Sequence, residues 1–232
     1  MNRLTRVPLS RDRILDAAIE LADASGPSAL TMRRLGQVLD VEAMSLYHHV
    51  NGREDLLEGM VARLVDDVEI PVHEDLGPAD GWQTFLQHVG HEIRRIAVEH
   101  PLIFPLVATR PPAAPWLRPP LRSLRVVDAF LEGLGRRGLA DEQAVHVYKV
   151  FAGFLLGHLL LEVAEAGAST APAEEPLNEG EAHVPTEDEK LVVDDYPTLQ
   201  RLADRLQSHD ATAEFEAALE ALLDRLDGEL TQ

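Results

Sequence analysis

The sequence predicts an all-α chain: a small N-terminal three-helix unit containing a helix-turn-helix, a linker helix, and a larger helical domain. Three observations predict it. Apolar residues recur at intervals of three and four through most of the 232 residues. Capping and breaking residues stand where those patterns start and stop. There is no internal repeat and no strand-period run of note.

Ser10 can cap a first helix over about Arg11 to Ala24, with Ile14, Leu15, Ala18, Leu21 and Ala22 on one face and Gly26-Pro27 ending it. Residues 30 to 57, LTMRRLGQVLDVEAMSLYHHVNGREDLL, read as two short helices and the start of a third. Leu35, Val38 and Leu39 follow the N-cap candidate Thr31, and Leu46 and Val50 repeat the pattern after a break at Asp40, Val41 and Glu42. Stripes this close must pack on each other. With Leu46 buried, 100° per residue puts Met44 and His48 on the exposed side, Ser45 and Tyr47 on its flanks, and Ala43 and His49 nearer the seam. Asn51-Gly52 turns the chain into a fourth helix with Leu56, Leu57, Met60, Val61 and Leu64 inward, running until Ile70-Pro71. The acidic, loop-like segment from Pro71 to Gly81 marks the boundary. The expected units are therefore 1–53, a linker helix 54–70, and a domain 71–232.

In the second domain the pattern predicts a helix from Trp82 to Glu99 broken by His100-Pro101, and a short piece near Leu102 to Val107. Prolines from Pro111 to Pro120 deny helix there. A long helix from about Leu121 to Arg137 turns Leu124, Val127, Phe130, Leu131 and Leu134 inward. The stretch from Asp141 to Ala166 is apolar nearly all round, which predicts a helix buried on two sides. Residues 168–195, rich in Glu, Ala and Pro, read as a flexible acidic loop. Helices over Pro197–Gln207 and Thr212–Leu226 close the chain; the last carries a broad stripe, Phe215, Ala218, Leu219, Leu222, Leu223 and Leu226. That stripe and the 141–166 helix are read as a homodimer surface, the alternative being that both only close the monomer core.

Composition narrows the function classes. With no cysteine, disulfides and thiolate metal sites are excluded, and a reducing cytoplasm fits. The first residues lack a signal-peptide stretch, and the apolar run near 150–161 contains His158 and glycines and falls short of a span, so no membrane is expected. The net charge of −19 argues against nucleic acid until its distribution is read. Residues 1–53 hold seven arginines against six acids, a balance of +1, and the remainder 14 bases against 34 acids, a balance of −20. The acid lies outside the helix-turn-helix, where it repels non-specific DNA.

The exposed face of the second short helix is small, polar and aromatic, which suits base edges in a major groove. The pattern alone fits a packed helical hairpin without a ligand equally well. The same residues also resemble the DNA-binding domain of the TetR family of bacterial repressors, whose pattern is LxxxxLAxxxGVxxxxLYxHVxxKxxLL. The resemblance implies an arginine reaching a guanine at Arg33, and base-proximal roles at Ala43, Ser45 and His48. It implies phosphate contacts at Thr31, Tyr47, His49 and Arg53, and Met44 joins the reading set through its exposure. Three departures bear on the operator sequence: Met44 stands where the tetracycline-repressor branch has proline, His48 where it has tryptophan, and Asp40 where the family has the turn glycine.

Farther along, WQTFLQHVGHEIRR, Thr109-Arg110-Pro111 and FLLGHLLLE resemble the ligand-binding domain of that branch. There a histidine three residues before the tripeptide holds the drug's magnesium, and an acid four residues past the glycine assists; here these positions are Leu106 and Leu161, with Glu162 next to the latter. Tetracycline-magnesium is therefore not expected, nor any other metal or cofactor. His88, His91, His146 and His158 lack a zinc spacing. The expected pocket is lined by Phe85, His88, Phe104 and Trp116 together with Tyr148, Phe151, Phe154 and His158, suiting an apolar or aromatic molecule, although each residue taken singly reads more readily as core packing.

No nucleophile elbow, phosphate loop, metal triad or cysteine nucleophile is present, so no enzyme and no catalytic residue is expected. The expected function is a ligand-responsive regulator of the cytoplasm, a repressor released by a small-molecule inducer from a palindromic operator on double-stranded DNA. The alternative is a DNA-binding regulator without an effector.

Overall fold

The computed structural model describes residues 8–72, 81–109, 123–169 and 196–231. Ten α-helices are found among them: α1 (Arg11–Ser25), α2 (Met32–Leu39), α3 (Ala43–Leu46), α4 (Arg53–Asp66), α5 (Trp82–Glu99), α6 (Phe104–Thr109), α7 (Leu124–Arg136), α8 (Asp141–Glu165), α9 (Pro197–Gln207) and α10 (Ala211–Leu230), with a 3₁₀ turn at Pro27–Ala29. Trp116 and most of the expected acidic loop, residues 170–195, lie outside the described residues.

The caps hold as the sequence predicts. Ser10 Oγ accepts the Arg13 N–H and Thr31 Oγ1 accepts the Arg34 N–H. α1 packs against α2 and α4, and α2 against α3, around Ile14, Ala18, Leu35, Leu46 and Leu56. Val38 departs from the expectation: it is 53% exposed. The covered face of α2 is Leu35, Gly36 and Leu39, and Val38 falls about 100° from its centre, outside the seam.

α4 packs on α6 and α7, while α8 runs through the C-terminal domain against α5, α6, α7 and α10. Leu124, expected inward, is 49% exposed; Val126 is buried in its place, because α7 starts at Leu124 and its covered face centres on Val126, Val127, Phe130 and Leu134. α8 matches the predicted stretch to within a residue, and by length and composition it could cross a membrane, which the shorter run read at 150–161 did not suggest. Its burial by four helices makes it the core helix of this domain instead. The stripe of α10 faces its own domain, with Phe215, Leu219, Leu223 and Leu226 buried. α9 has no buried residue.

The turn between α2 and α3 passes through Asp40 at φ 53° and ψ 47°, left-handed backbone that asparagine and aspartate tolerate and β-branched residues do not. Asp40→Val is expected to lower stability by about 1–2 kcal/mol, whereas Asp40→Asn should leave the urea midpoint unchanged. Equal midpoints for the two variants would refute this account of the turn.

Candidate functional site

The α2–α3 pair is short and tightly closed. The Val41 N–H donates to Gly36 O (2.9 Å), and a Cβ on Gly36 would stand 2.9 Å from Val41 O and 3.3 Å from Ala43 Cα. No side chain fits there, so α3 starts directly against α2. Leu46 and Val50 then anchor α3 and the turn that follows it, both essentially inaccessible.

The remaining side chains sort as 100° per residue requires. Met44 is 72% exposed, Tyr47 and His48 are exposed, and Ala43, Ser45 and His49 are half-buried. Arg33 on α2 is exposed and makes no hydrogen bond or ion pair to a described residue. Thr31 uses its hydroxyl oxygen as the helix cap, which leaves the hydroxyl proton free to donate. Arg53 is half-committed: its Nε donates to Leu30 O (3.3 Å) and its Nη2 to Pro27 O (3.0 Å), steadying the connection ahead of α2.

An ion pair missed by the sequence reading holds this surface in place. Arg11 donates to both oxygens of Asp55 (Nη1 3.0 Å, Nη2 2.7 Å) and to His49 O (3.1 Å), and Asp55 also accepts the Asn51 N–H (2.8 Å). α1, the end of the turn after α3 and the start of α4 meet at one carboxylate. These partners lie 38 and 44 residues apart, so no spacing rule could find them. The Arg11 guanidinium and the Asn51 N–H pull the Asp55 carboxyl down from 3.8 to about 2. A lowered carboxyl stabilises the fold above its unfolded value and loses that contribution as pH falls through the folded one. The acid limb of unfolding between pH 3.8 and about 2 should therefore be shallower in Asp55→Asn than in the parent; parallel limbs would exclude a role for this carboxylate.

In the C-terminal domain Phe85 and Phe104 are fully buried as packing residues, and Arg137 stacks over the Phe85 ring at 4.5 Å. Phe154 and His158 pair with each other at 5.5 Å, and His158 meets Phe215 of α10 at 5.7 Å. His88 is half-buried. Tyr148 and Phe151 face another space, a cavity of about 10 Å³ also lined by Val89, Ile93, Val126, Phe130, Ala152, Leu155 and Leu156. That is room for about one water. Of the expected pocket residues that are described, Phe85, Tyr148 and Phe151 each meet Phe130, and Phe154 and His158 pair with each other.

The magnesium positions of the tetracycline branch do not fit a metal. Leu106 packs on the core and Leu161 is 70% exposed. Glu162 is held by Arg94 through Nη2 at 2.7 Å and Nε at 3.1 Å. Among the described residues no group of three or more metal-ligating side chains converges, the histidines weighed above included.

Comparison with known proteins matches residues 14–60 to the family described as bacterial regulatory proteins, tetR family, and residues 76–229 to the tetracyclin repressor-like C-terminal domain. The chain belongs to the TetR family. It is similar to the HTH-type transcriptional repressor DrrR1 of Streptomyces coeruleorubidus, 27% identical over 94% of this chain and 77% of that protein. A possible TetR family transcriptional regulator from Streptomyces coelicolor A3(2) has a similar structure, with TM-score 0.71, 30% identity, and coverage of 94% and 99% of the two chains. ActR of Streptomyces coelicolor in complex with (S)-DNPA gives a TM-score of 0.66 at 25% identity, covering 97% of this chain and 100% of that one. Proteins of the TetR family are DNA-binding transcriptional regulators and not enzymes. The α2–α3 surface of this TetR-family chain is accordingly the candidate nucleic-acid interface.

Proposed function

We propose that this TetR-family regulator is a cytoplasmic homodimeric repressor, released from a palindromic operator by a small apolar or aromatic inducer. The observation that carries the DNA half of this reading is the surface of α3 and the turn after it: Met44 on the helix and Tyr47 and His48 just past it are exposed, with Leu46 and Val50 buried behind them. Arg33 supplies a guanidinium for a guanine, Met44 an apolar contact for a thymine methyl, and Ala43, Ser45 and His48 the neighbouring base edges. Thr31, Tyr47 and His49 hold phosphates, with the remaining N–H groups of Arg53 beside them. The reader comprises residues 1–53, the linker 54–70 and the effector and dimer domain 71–232.

The dimer reading rests on what α8 and α10 leave uncovered. Val145, Lys149, Gly153, Gly157 and Leu161 form an exposed row on α8, and Ala213, Ala217 and Ala221 one on α10. Small side chains let helices of a second copy approach closely, and paired readers then stand about 34 Å apart on successive major grooves. The repressor assignment follows DrrR1, and the small-molecule effector follows ActR, whose structure holds (S)-DNPA. A small-molecule inducer is larger than the cavity of about 10 Å³, so its entry there requires α5, α7 and α8 to separate around Phe130 and Phe151.

The test is capture of fragmented genomic DNA from the source bacterium by the purified protein at moderate salt. The parent should enrich a sharp palindromic site, and Arg33→Ala/Tyr47→Ala should bind it on the order of 100-fold more weakly. Enrichment no better than background would remove the reading. The cavity of about 10 Å³ favours a second reading, a regulator without an effector. A panel of aromatic compounds separates the two: a sensor rises in melting temperature with some compound, and a filled core with none.

A further inference from the structure

His100 occupies the junction of α5 and α6. Its N–H donates to Ile96 O (2.9 Å) to close α5, and its carbonyl accepts the N–H groups of Ile103 (3.0 Å) and Phe104 (2.9 Å) to open α6. Its imidazole leaves that domain and meets α1: Nδ1 stands 2.8 Å from Asp23 Oδ2, across 77 residues of sequence. A carboxylate only accepts, so Nδ1 carries the proton in this contact. Both side chains are largely covered, and Asp23 Oδ1 is buried with no partner among the described residues. Asp23 therefore depends on the imidazole for its satisfaction here.

α1 is tied firmly to the reading elements at both ends. Arg34 of α2 donates to Ser25 Oγ (3.0 Å), Arg63 of α4 to Asp16 (2.6 Å), and Arg11 clamps Asp55. α6, in turn, packs on α8 and α4. A rearrangement of α6 must then either drag α1 with it or break the 2.8 Å contact.

We infer that the Asp23–His100 pair is a positioning contact that sets the angle of the reader on the C-terminal domain, so that movement at α6 reaches the reading helices through α1 as well as through α4. The inference rests on the effector-responsive reading above, yet its test needs neither DNA nor effector. The chain has no cysteine, so Gln37→Cys on α2 and Asp128→Cys on α7, both exposed, take spin labels without background. Diluting the labelled protein into an excess of unlabelled chain leaves the reader-to-core distance within one protomer, whatever the oligomeric state.

The parent should give one narrow distance distribution. His100→Leu should broaden it roughly twofold, as the reader samples a second orientation. Asp23→Ala should do the same, and the double variant should be no broader than either, because the two residues make one contact. His100→Asn, which keeps an N–H near the Nδ1 position, should restore the narrow distribution at unchanged helix content. Unchanged distributions in cooperatively melting His100→Leu and Asp23→Ala overturn the inference. Broadening by His100→Leu alone also overturns it, since that marks a loss of packing at the α5–α6 junction. If His100→Leu does not fold, Asp23→Ala decides. A broadened distance without a captured operator leaves the contact standing and removes the regulator reading; a captured operator with an unmoved distance does the reverse.

Discussion

Gly36→Val is expected to abolish operator binding while the C-terminal domain stays folded. A Cβ at position 36 would meet Val41 O at 2.9 Å and the Ala43 backbone at 3.3 Å, and valine adds two methyl groups beyond that. The obstacles are backbone atoms at the start of α3, so no rotamer change relieves them. Overpacking of this kind costs about 1–3 kcal/mol. The more important effect is geometric: α3 must lift from α2, and Leu46 and Val50 no longer set which face looks outward. A displacement near 1 Å at the side chains proposed to read bases is enough to lose several directional hydrogen bonds together. Titration of the captured operator should show affinity falling to the non-specific level, with melting of α5–α10 unaltered. Parent-like affinity would mean that the closeness of α2 and α3 is not required for reading.

Phe151→Ala is expected to give the largest loss of stability. Phe151 is 2% exposed, stacks on Phe130 at a centroid distance of 5.7 Å, and lines the small apolar cavity between α5, α7 and α8. Truncation of a buried phenylalanine costs about 3–5 kcal/mol, which in a chain of this size lowers the melting temperature by roughly 6–20 °C. The enlarged space has an apolar lining and should stay dry, so benzene should partly restore the melting temperature of the variant and leave the parent unchanged. A variant that melts like the parent would show that the core collapses around the gap. A loss without benzene rescue would show that the gap is not a closed apolar chamber, and would weaken the case for an effector site here.

Tyr148 lines the same cavity, and burial pushes its hydroxyl up to about 12 from an ordinary 10. A raised acid destabilises the fold only where the unfolded chain ionises first, so its contribution is intact below pH 10 and is lost as pH rises toward 12. Tyr148→Phe should flatten the alkaline limb of unfolding in that window.

Much of this protein was legible along the chain. Ser10, Thr31, Gly26-Pro27 and Asn51-Gly52 mark helix ends that the structure places within a residue or two, because capping and breaking are local backbone chemistry. The outward side of Met44 followed from burying Leu46, since 100° per residue then leaves it one orientation; α3 ends at Leu46, and His48 is exposed on the turn that follows. Tertiary structure decided the rest. Val38 and Leu124 belong to apolar stripes but lie at their flanks, and only the position of the neighbouring helix determines which flank is covered. The same holds for α10, whose stripe turned to its own core. Among the described residues, Phe85, Tyr148 and Phe151 converge on Phe130 while Phe154 and His158 pair toward Phe215, a division that periodicity could not show, because it assigns a residue to a face without saying what meets that face. Arg11–Asp55 and Asp23–His100 join residues 44 and 77 positions apart. Such pairs exist only once packing brings distant segments together, so the helices and the exposure of Met44 follow from local spacing, whereas the way α2 and α3 are held follows from contacts between segments far apart in the chain.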